Sequence, residues 1–297
     1  MKENRVFIAT TGKSLVRAGK VDGRWVISHH LEGKKVNCMF RDPKDNQRVY
    51  LGTQNEGAFV STNSGKDWRQ IGLTGIPVKS LAVSPAAPST IYAGCKPVSL
   101  YVSQDAGESW GELPEIKKAK RFWWFSPADP PGLTPYVSAL AISPTNPEVI
   151  IAGIELGAVL MSEDSGKHWS NHKRGSDRDC HSLKFHFING DWVYEAGGLS
   201  GSAFSRDGGR TWKKPKNGIG IKYGWRVASD PAQPEIWYLS ASEQPNLLKG
   251  EFNPPAHQFG HSKGHIYKKV GDRSFRQLSG GLPEPLDYMA NELVTLP

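Results

Sequence analysis

The chain has 297 residues, 38% of them hydrophobic, with 32 Gly and 10 Trp, so a sizeable core and many tight turns are within reach. A formal charge of +8 favours acidic partners but does not choose among nucleic acid, anionic glycan and membrane surface. Cys38, Cys95 and Cys180 lie far apart with no metal-ligand spacing, and their odd count argues against a disulfide framework. The first residues have no apolar h-region and no run is apolar enough to span a bilayer. A cytoplasmic protein is therefore expected, without metal, cofactor or membrane partner.

In chain order, "VFIATTG", "SLVRAG" and "WVISHH" read as three strands with no strand before them. Five similar units follow, at about 36–73, 78–114, 137–172, 180–215 and 224–283. Each opens on an apolar run ending in a Pro-rich turn, such as "VKSLAVSPAAPS" or "VSALAISPTNPE". A β-branched or aromatic run follows, such as "IYAGC" or "IIAGI", and then a third short strand such as "LYVSQ" or "VLMSE". Short strands with regular turn signals predict an all-β fold. The last segment, "YMANELVTLP", reads as an opening strand with no sequel. Joined to residues 1–32, residues 287–297 would complete one more four-stranded unit.

The third strand of each unit leads into one octapeptide: "STNSGKDW" at Ser61, "SQDAGESW" at Ser103, "SEDSGKHW" at Ser162 and "SRDGGRTW" at Ser205. Recurrence at about forty residues marks a β-propeller or a related repeat array, with four strands to a blade. Asp105, Asp164 and Asp207 are expected to accept backbone N–H bonds within the turn. The glycine is expected at positive φ, and Trp68, Trp110, Trp169 and Trp212 are expected to anchor the turn by packing. These roles are structural, because copies spread over successive units cannot share one substrate. A fifth copy, "KKVGDRSF", has Phe275 in place of the tryptophan.

The octapeptides resemble the Asp-box, or BNR, repeat of sialidases and of the sortilin ectodomain. With "GIELGAVLMSEDSGKHW", "RDCHSLKFH" and "YGWRVASDP", the chain is most similar to bacterial BNR-repeat proteins called sialidase-like or glycosyl-hydrolase-like. The resemblance covers about Val6 to Pro283 and implies a single β-propeller domain over 1–297. Six blades are counted, closed by the N- and C-terminal strands, and a truncated seven-bladed propeller is the alternative.

Aligned first strands give one column of Asn37, Lys79, Ser138, His181, Trp225 and Asn291, and a second of Cys38, Ser80, Ala139, Ser182, Arg226 and Glu292. Alternation places the two columns on opposite faces. His181, Trp225, Arg226 and Glu292 break the repeat, and with Lys79 and Glu155 they are candidate ligand or catalytic residues. An insertion between the second and third octapeptides carries Lys117, Lys118, Lys120 and Arg121 beside Phe122, Trp123, Trp124 and Phe125. Trp123 and Trp124 there suit sugar rings, nucleobases or acidic peptides. His257, His261 and His265 are spaced by four, but the neighbouring Pro and Gly argue against the helix that would align them for a metal.

A sialidase needs an arginine cluster, a tyrosine–glutamate pair and an acid/base aspartate. "FRDP" at Phe40–Pro43 is explained equally by the repeated Asp-Pro turn, and Arg226 is one further arginine. Neither a third arginine nor a Tyr–Glu pair is evident. The leading expectation is a non-catalytic propeller that binds a protein or small ligand on its loop-rich face. A glycoside hydrolase acting on an acidic glycan is the alternative, with Glu155, Glu292 and Asp179 as its carboxylates. A nucleic-acid binder using the basic clusters at 117–121 and 213–216 is the least favoured.

Overall fold

A computed structural model of the chain describes residues 5–11, 14–119, 134–215, 223–244, 255–258 and 260–295. The chain forms two compact units, Met1–Leu113 and Pro114–Pro297. Each contains three antiparallel sheets whose strands are hydrogen-bonded in sequence order.

In the first unit, β1 (Arg5–Thr10), β2 (Leu15–Val21) and β3 (Arg24–His30) form a three-stranded sheet. The next sheet is β4 (Val36–Arg41), β5 (Val49–Thr53), β6 (Ala58–Ser61) and β7 (Arg69–Gln70). The third is β8 (Val78–Val83), β9 (Ile91–Cys95), β10 (Ser99–Ser103) and β11 (Gly111–Glu112). In the second unit, β12 (Val137–Ile142), β13 (Ile150–Ile154) and β14 (Val159–Ser162) form one sheet. A second comprises β15 (Cys180–Phe185), β16 (Val193–Gly197) and β17 (Gly201–Ser205). The last comprises β18 (Tyr223–Ser229), β19 (Ile236–Ser242), β20 (His265–Val270) and β21 (Arg276–Gln277).

Successive sheets bury their β-branched and aromatic faces against one another. Val60, Ile71, Val78, Leu81 and Ile91 form one layer in the first unit. Ile151, Val159, Met161, Cys180, Leu183 and Trp212 form a layer in the second, and Tyr194, Phe204, Trp237 and Phe275 form the next. Each such side chain contributes about 1.5–3 kcal/mol by leaving water. The second strands β5, β9, β13 and β16 are buried along their whole length, and two of their glycines have a packing cause. A Cβ on Gly52 would stand 2.5 Å from a Val78 methyl, and one on Gly153 would stand 2.4 Å from Cys180 Sγ.

The octapeptide turns are as expected. Asp105, Asp164 and Asp207 each accept the serine hydroxyl two residues back and the N–H four residues on. Gly65, Gly107, Gly166 and Gly209 all have positive φ, between 79° and 95°. The indole N–H of Trp68, Trp169 and Trp212 donates to the carbonyl of that glycine. Trp110 departs from the pattern and donates to Ile71 O in the preceding blade. In the degenerate copy, buried Lys269 pairs with Trp237 in the ladder, where Ser205 pairs with Val193. Its ammonium donates to the carbonyls of Gly271 and Arg273, so the turn is held by a cation instead of a hydroxyl.

Two expectations are corrected in detail. The fourth strand shrinks to isolated contacts beside β14 and β17. At β14 the cause is local: Met161 N donates to Ser170 Oγ and Val159 N to His172 Nδ1, so side chains replace ladder carbonyls. At the C-terminus, residues 287–295 contain no strand among the described residues. They lie along the last sheet, where Ser240 Oγ donates to Ala290 O and Thr295 Oγ1 to Ser229 O, and the sheet of β1–β3 has three strands.

Candidate functional site

Every first strand from β4 to β18 carries a register shift at the same place: 36/38, 78/80, 137/139, 180/182 and 224/226. The residue skipped by the ladder is Asn37, Lys79, Ser138, His181 or Trp225, the first of the two aligned columns. A bulge leaves its extra residue unpaired and re-aims the side chain. Most of these side chains reach the next first strand. Asn37 Nδ2 donates to Val78 O, Ser138 Oγ to Cys180 O, and His181 Nδ1 to Gly224 O at 2.7 Å. Lys79, in the first unit, instead donates to Gln54 Oε1 and Asn37 Oδ1. Cys38, Ser80, Ala139, Ser182 and Arg226 pair normally, opposite Gly52, Gly94, Gly153, Ala196 and Ser240.

In the second unit the bulges assemble a polar cluster at the strand ends opposite the octapeptide turns. The ligating atoms of Glu155, Asp179 and His181 lie within 4.8 Å of one another. Glu155 follows β13, and its carboxylate accepts a short hydrogen bond from the Tyr136 hydroxyl, just before β12. Asp179 and His181 flank Cys180, the first residue of β15, and both are buried, with His181 Nε2 3.4 Å from Asp179 Oδ2. Burial alone would lower the His181 pKa, but the Asp179 carboxylate, the Glu155 charge and the Gly224 carbonyl together outweigh it and the net shift is upward. Burial, then the charge of nearby Glu155, raises the Tyr136 pKa. Burial and Asp179 do the same at Tyr223.

Aromatic rings surround the imidazole. His181 lies 5.0 Å from the Tyr223 ring and 4.8 Å from the Trp225 ring, and His257 meets Trp225 edge-on at 5.2 Å. The Tyr223 hydroxyl is 2.8 Å from His257 Nε2. The buried indole N–H of Trp225 has no partner among the described residues. Behind the cluster, Asp177 accepts the Ser200 N–H and hydroxyl at 2.7 Å and the Asp179 N–H at 3.1 Å. Asp177 N in turn donates to Glu195, whose burial raises its pKa well above the usual carboxyl range. Gly198 completes the support, since a Cβ there would stand 1.9 Å from Asp179 Oδ2.

The structure thus brings together Glu155, Asp179, His181 and Trp225. Arg226 faces another way. Its guanidinium donates to the carbonyls of His181 and Trp225 and lies 3.7 Å from Glu292, which also pairs with Lys184. The Tyr–Glu pair not evident in the sequence exists as Tyr136–Glu155, and Tyr136, Tyr223, Asp177 and Glu195 were missed. Burial of an acid beside a strand start leaves no periodic signal. Trp123, Trp124, Lys120, Arg121 and Lys216 lie outside the described residues. His257 joins the aromatic wall, and among the described residues it belongs to no metal-ligand group with His261 or His265.

Comparison with known proteins agrees with the fold. Residues 203–214, the turn of Asp207 and Trp212, match the BNR/Asp-box repeat model. An ancestral GH74 enzyme superposes with a TM-score of 0.64 at 20% identity, over 84% of this chain and 32% of that one. The chain has a β-propeller fold and carries an Asp-box repeat. YCF48 bound to D1 peptide superposes on this propeller with a TM-score of 0.53 at 13% identity, over 89% of the chain and 74% of YCF48. The propeller is also 30% identical over 80 residues to the oligoxyloglucan-reducing end-specific xyloglucanase of Emericella nidulans, or 25% of this chain. It spans only 10% of that xyloglucanase and about a third of the ancestral GH74 chain. Among the described residues no helix is long and apolar enough to cross a membrane.

Proposed function

We propose that this propeller acts by binding, and that its ligand end is the cluster around His181 and Trp225 in the unit Pro114–Pro297. The observation that carries this reading is the commitment of the charged groups to protein partners. Glu155 takes the Tyr136 hydroxyl, Asp179 is buried against His181, and Glu292 takes Lys184 and Arg226. Arg226, the one candidate clamp for a substrate carboxylate, directs its donors at backbone carbonyls. An acidic glycan would meet two carboxylates there, with the Arg226 guanidinium already engaged by backbone carbonyls. A ligand rich in hydrogen-bond donors or positive charge fits better, because carboxylates and aromatic faces both favour it. YCF48, solved with a bound peptide, supports binding as a use of this fold.

Glycoside hydrolysis is the second reading. It is favoured by the Tyr136–Glu155 pair beside Asp179 and by the local similarity to a xyloglucanase. The two readings separate in one experiment. Arginine-rich peptides and xyloglucan oligosaccharides are titrated by calorimetry against wild type and Trp225→Ala, and each sugar mixture is then checked for cleavage. Binding predicts a saturable response that weakens at least tenfold in Trp225→Ala, with the sugars intact. Cleavage that disappears in Glu155→Gln would make the protein a hydrolase.

A further inference from the structure

The bulge at His181 has a consequence beyond ligand binding. Its Nδ1 faces the Gly224 carbonyl at 2.7 Å, so Nδ1 carries the hydrogen and Nε2 is the atom presented to the cluster. A histidine that ligates a metal is commonly oriented by this kind of bond from its other nitrogen to a backbone carbonyl. Asp179 Oδ2 is 3.4 Å from Nε2, and the Glu155 carboxylate lies within 4.8 Å of both. At M–N and M–O distances of about 2.0–2.2 Å, two tetrahedral ligands are separated by about 3.4 Å. Asp179 and His181 already stand at that separation, with the Glu155 carboxylate within 4.8 Å of both.

The support is built into the backbone. The Asp177 carboxylate holds the Asp179 N–H and Gly198 N donates to Asp179 O. The absence of a Cβ at Gly198 leaves room for the carboxylate. Tyr136 orients Glu155 in the same way. The His181 ring and the Glu155 carboxylate thus each have a fixing partner, and Asp179 is held through its backbone; such partners tune metal affinity in known sites.

We propose that Glu155, Asp179 and His181 form a site for a first-row divalent cation of the zinc or manganese type. One imidazole and two carboxylates suit such an ion, whereas calcium takes six to eight oxygens. The rings of Tyr223 and Trp225 lie beside the His181 imidazole and would border a bound ion.

The test uses the full chain, stripped with a chelator and titrated with Zn2+ against a chromophoric competitor, with Mn2+ and Ca2+ in parallel. Wild type should bind one equivalent of Zn2+, bind Mn2+ measurably and Ca2+ far more weakly. Asp179→Asn and Glu155→Gln should each lose at least tenfold in affinity. Because Asp179 is buried, Glu155→Gln is the safer variant: Gln can still accept the Tyr136 hydroxyl, and a melt with unchanged midpoint confirms its fold. Co2+ loaded into wild type should give visible d–d absorption that Zn2+ bleaches. Less than a tenth of an equivalent bound, or equal affinity in both variants, would overturn the proposal; the latter would assign the ion to surface histidines. The proposal uses the site but does not rest on the binding reading. Metal retained with no peptide or sugar response would sink only the binding reading, and the reverse would sink only this proposal.

Discussion

At the scale of single residues, buried Glu195 and half-buried His172 each contribute a pH dependence to stability. Glu195 is raised well above the ordinary carboxyl value of 4.5, chiefly by desolvation, so burial favours its neutral form. Its stabilising contribution is complete below about 4.5 and is lost as pH rises through the folded value. Glu195→Gln stays neutral, so the variant should gain on wild type in urea midpoint as pH is raised from 5 to 9. Parallel curves would mean that Glu195 is already ionised in the fold. His172 shifts the other way, to about 4, because of burial and then the Arg178 charge. Its contribution is present above about 6.5 and lost as pH falls towards about 4. His172→Gln can still accept the Val159 N–H and should remove that part of the acid destabilisation. Neither group was legible in the sequence. Both are defined by what surrounds them in space, and the strings "YEAG" and "SNHK" carry no trace of it.

At the scale of the strand and turn, the octapeptide chemistry was legible because it is local. The serine, aspartate, glycine and tryptophan act on one another within eight residues, so spacing alone predicts their bonds. Gly209 has φ near 93°, and a Cβ there would stand 2.4 Å from the Ile151 δ-methyl. Gly209→Ala should cost about 1–3 kcal/mol through backbone strain and crowding. Trp212→Ala, which empties a core position and frees the Gly209 carbonyl, should cost about 3–5 kcal/mol. Chemical denaturation measures both, and a loss below about 0.5 kcal/mol for Trp212→Ala would contradict the anchor role. The fourth strands were less legible. A side chain that takes a ladder N–H, as Ser170 and His172 do, is invisible to propensity. The bulges lay between these extremes. The aligned column found the right residues, but strict alternation gave no reason for their reach into the next strand, because the bulge interrupts the period.

At the scale of the molecule, the repeat gives a scaffold with one conserved grammar and departures concentrated in the unit Pro114–Pro297. Small polar residues at the bulges of β4 and β12 bond to the next strand and stop there. At β15 and β18 the corresponding residues are His181 and Trp225, and they collect acids and aromatic rings around them. The chain as a whole carries +8, yet this end presents carboxylates, so overall charge is a poor guide to its ligand. The most direct test of the account labels the tryptophan indoles with 15N and follows their signals while an arginine-rich peptide or a xyloglucan oligosaccharide is added. Trp225→Phe assigns the decisive signal. The account predicts that the Trp225 indole moves in a saturable way while the turn anchors Trp68, Trp110, Trp169 and Trp212 stay fixed. Movement confined to the turn anchors, with Trp225 unchanged, would place the ligand at the opposite strand ends and contradict it.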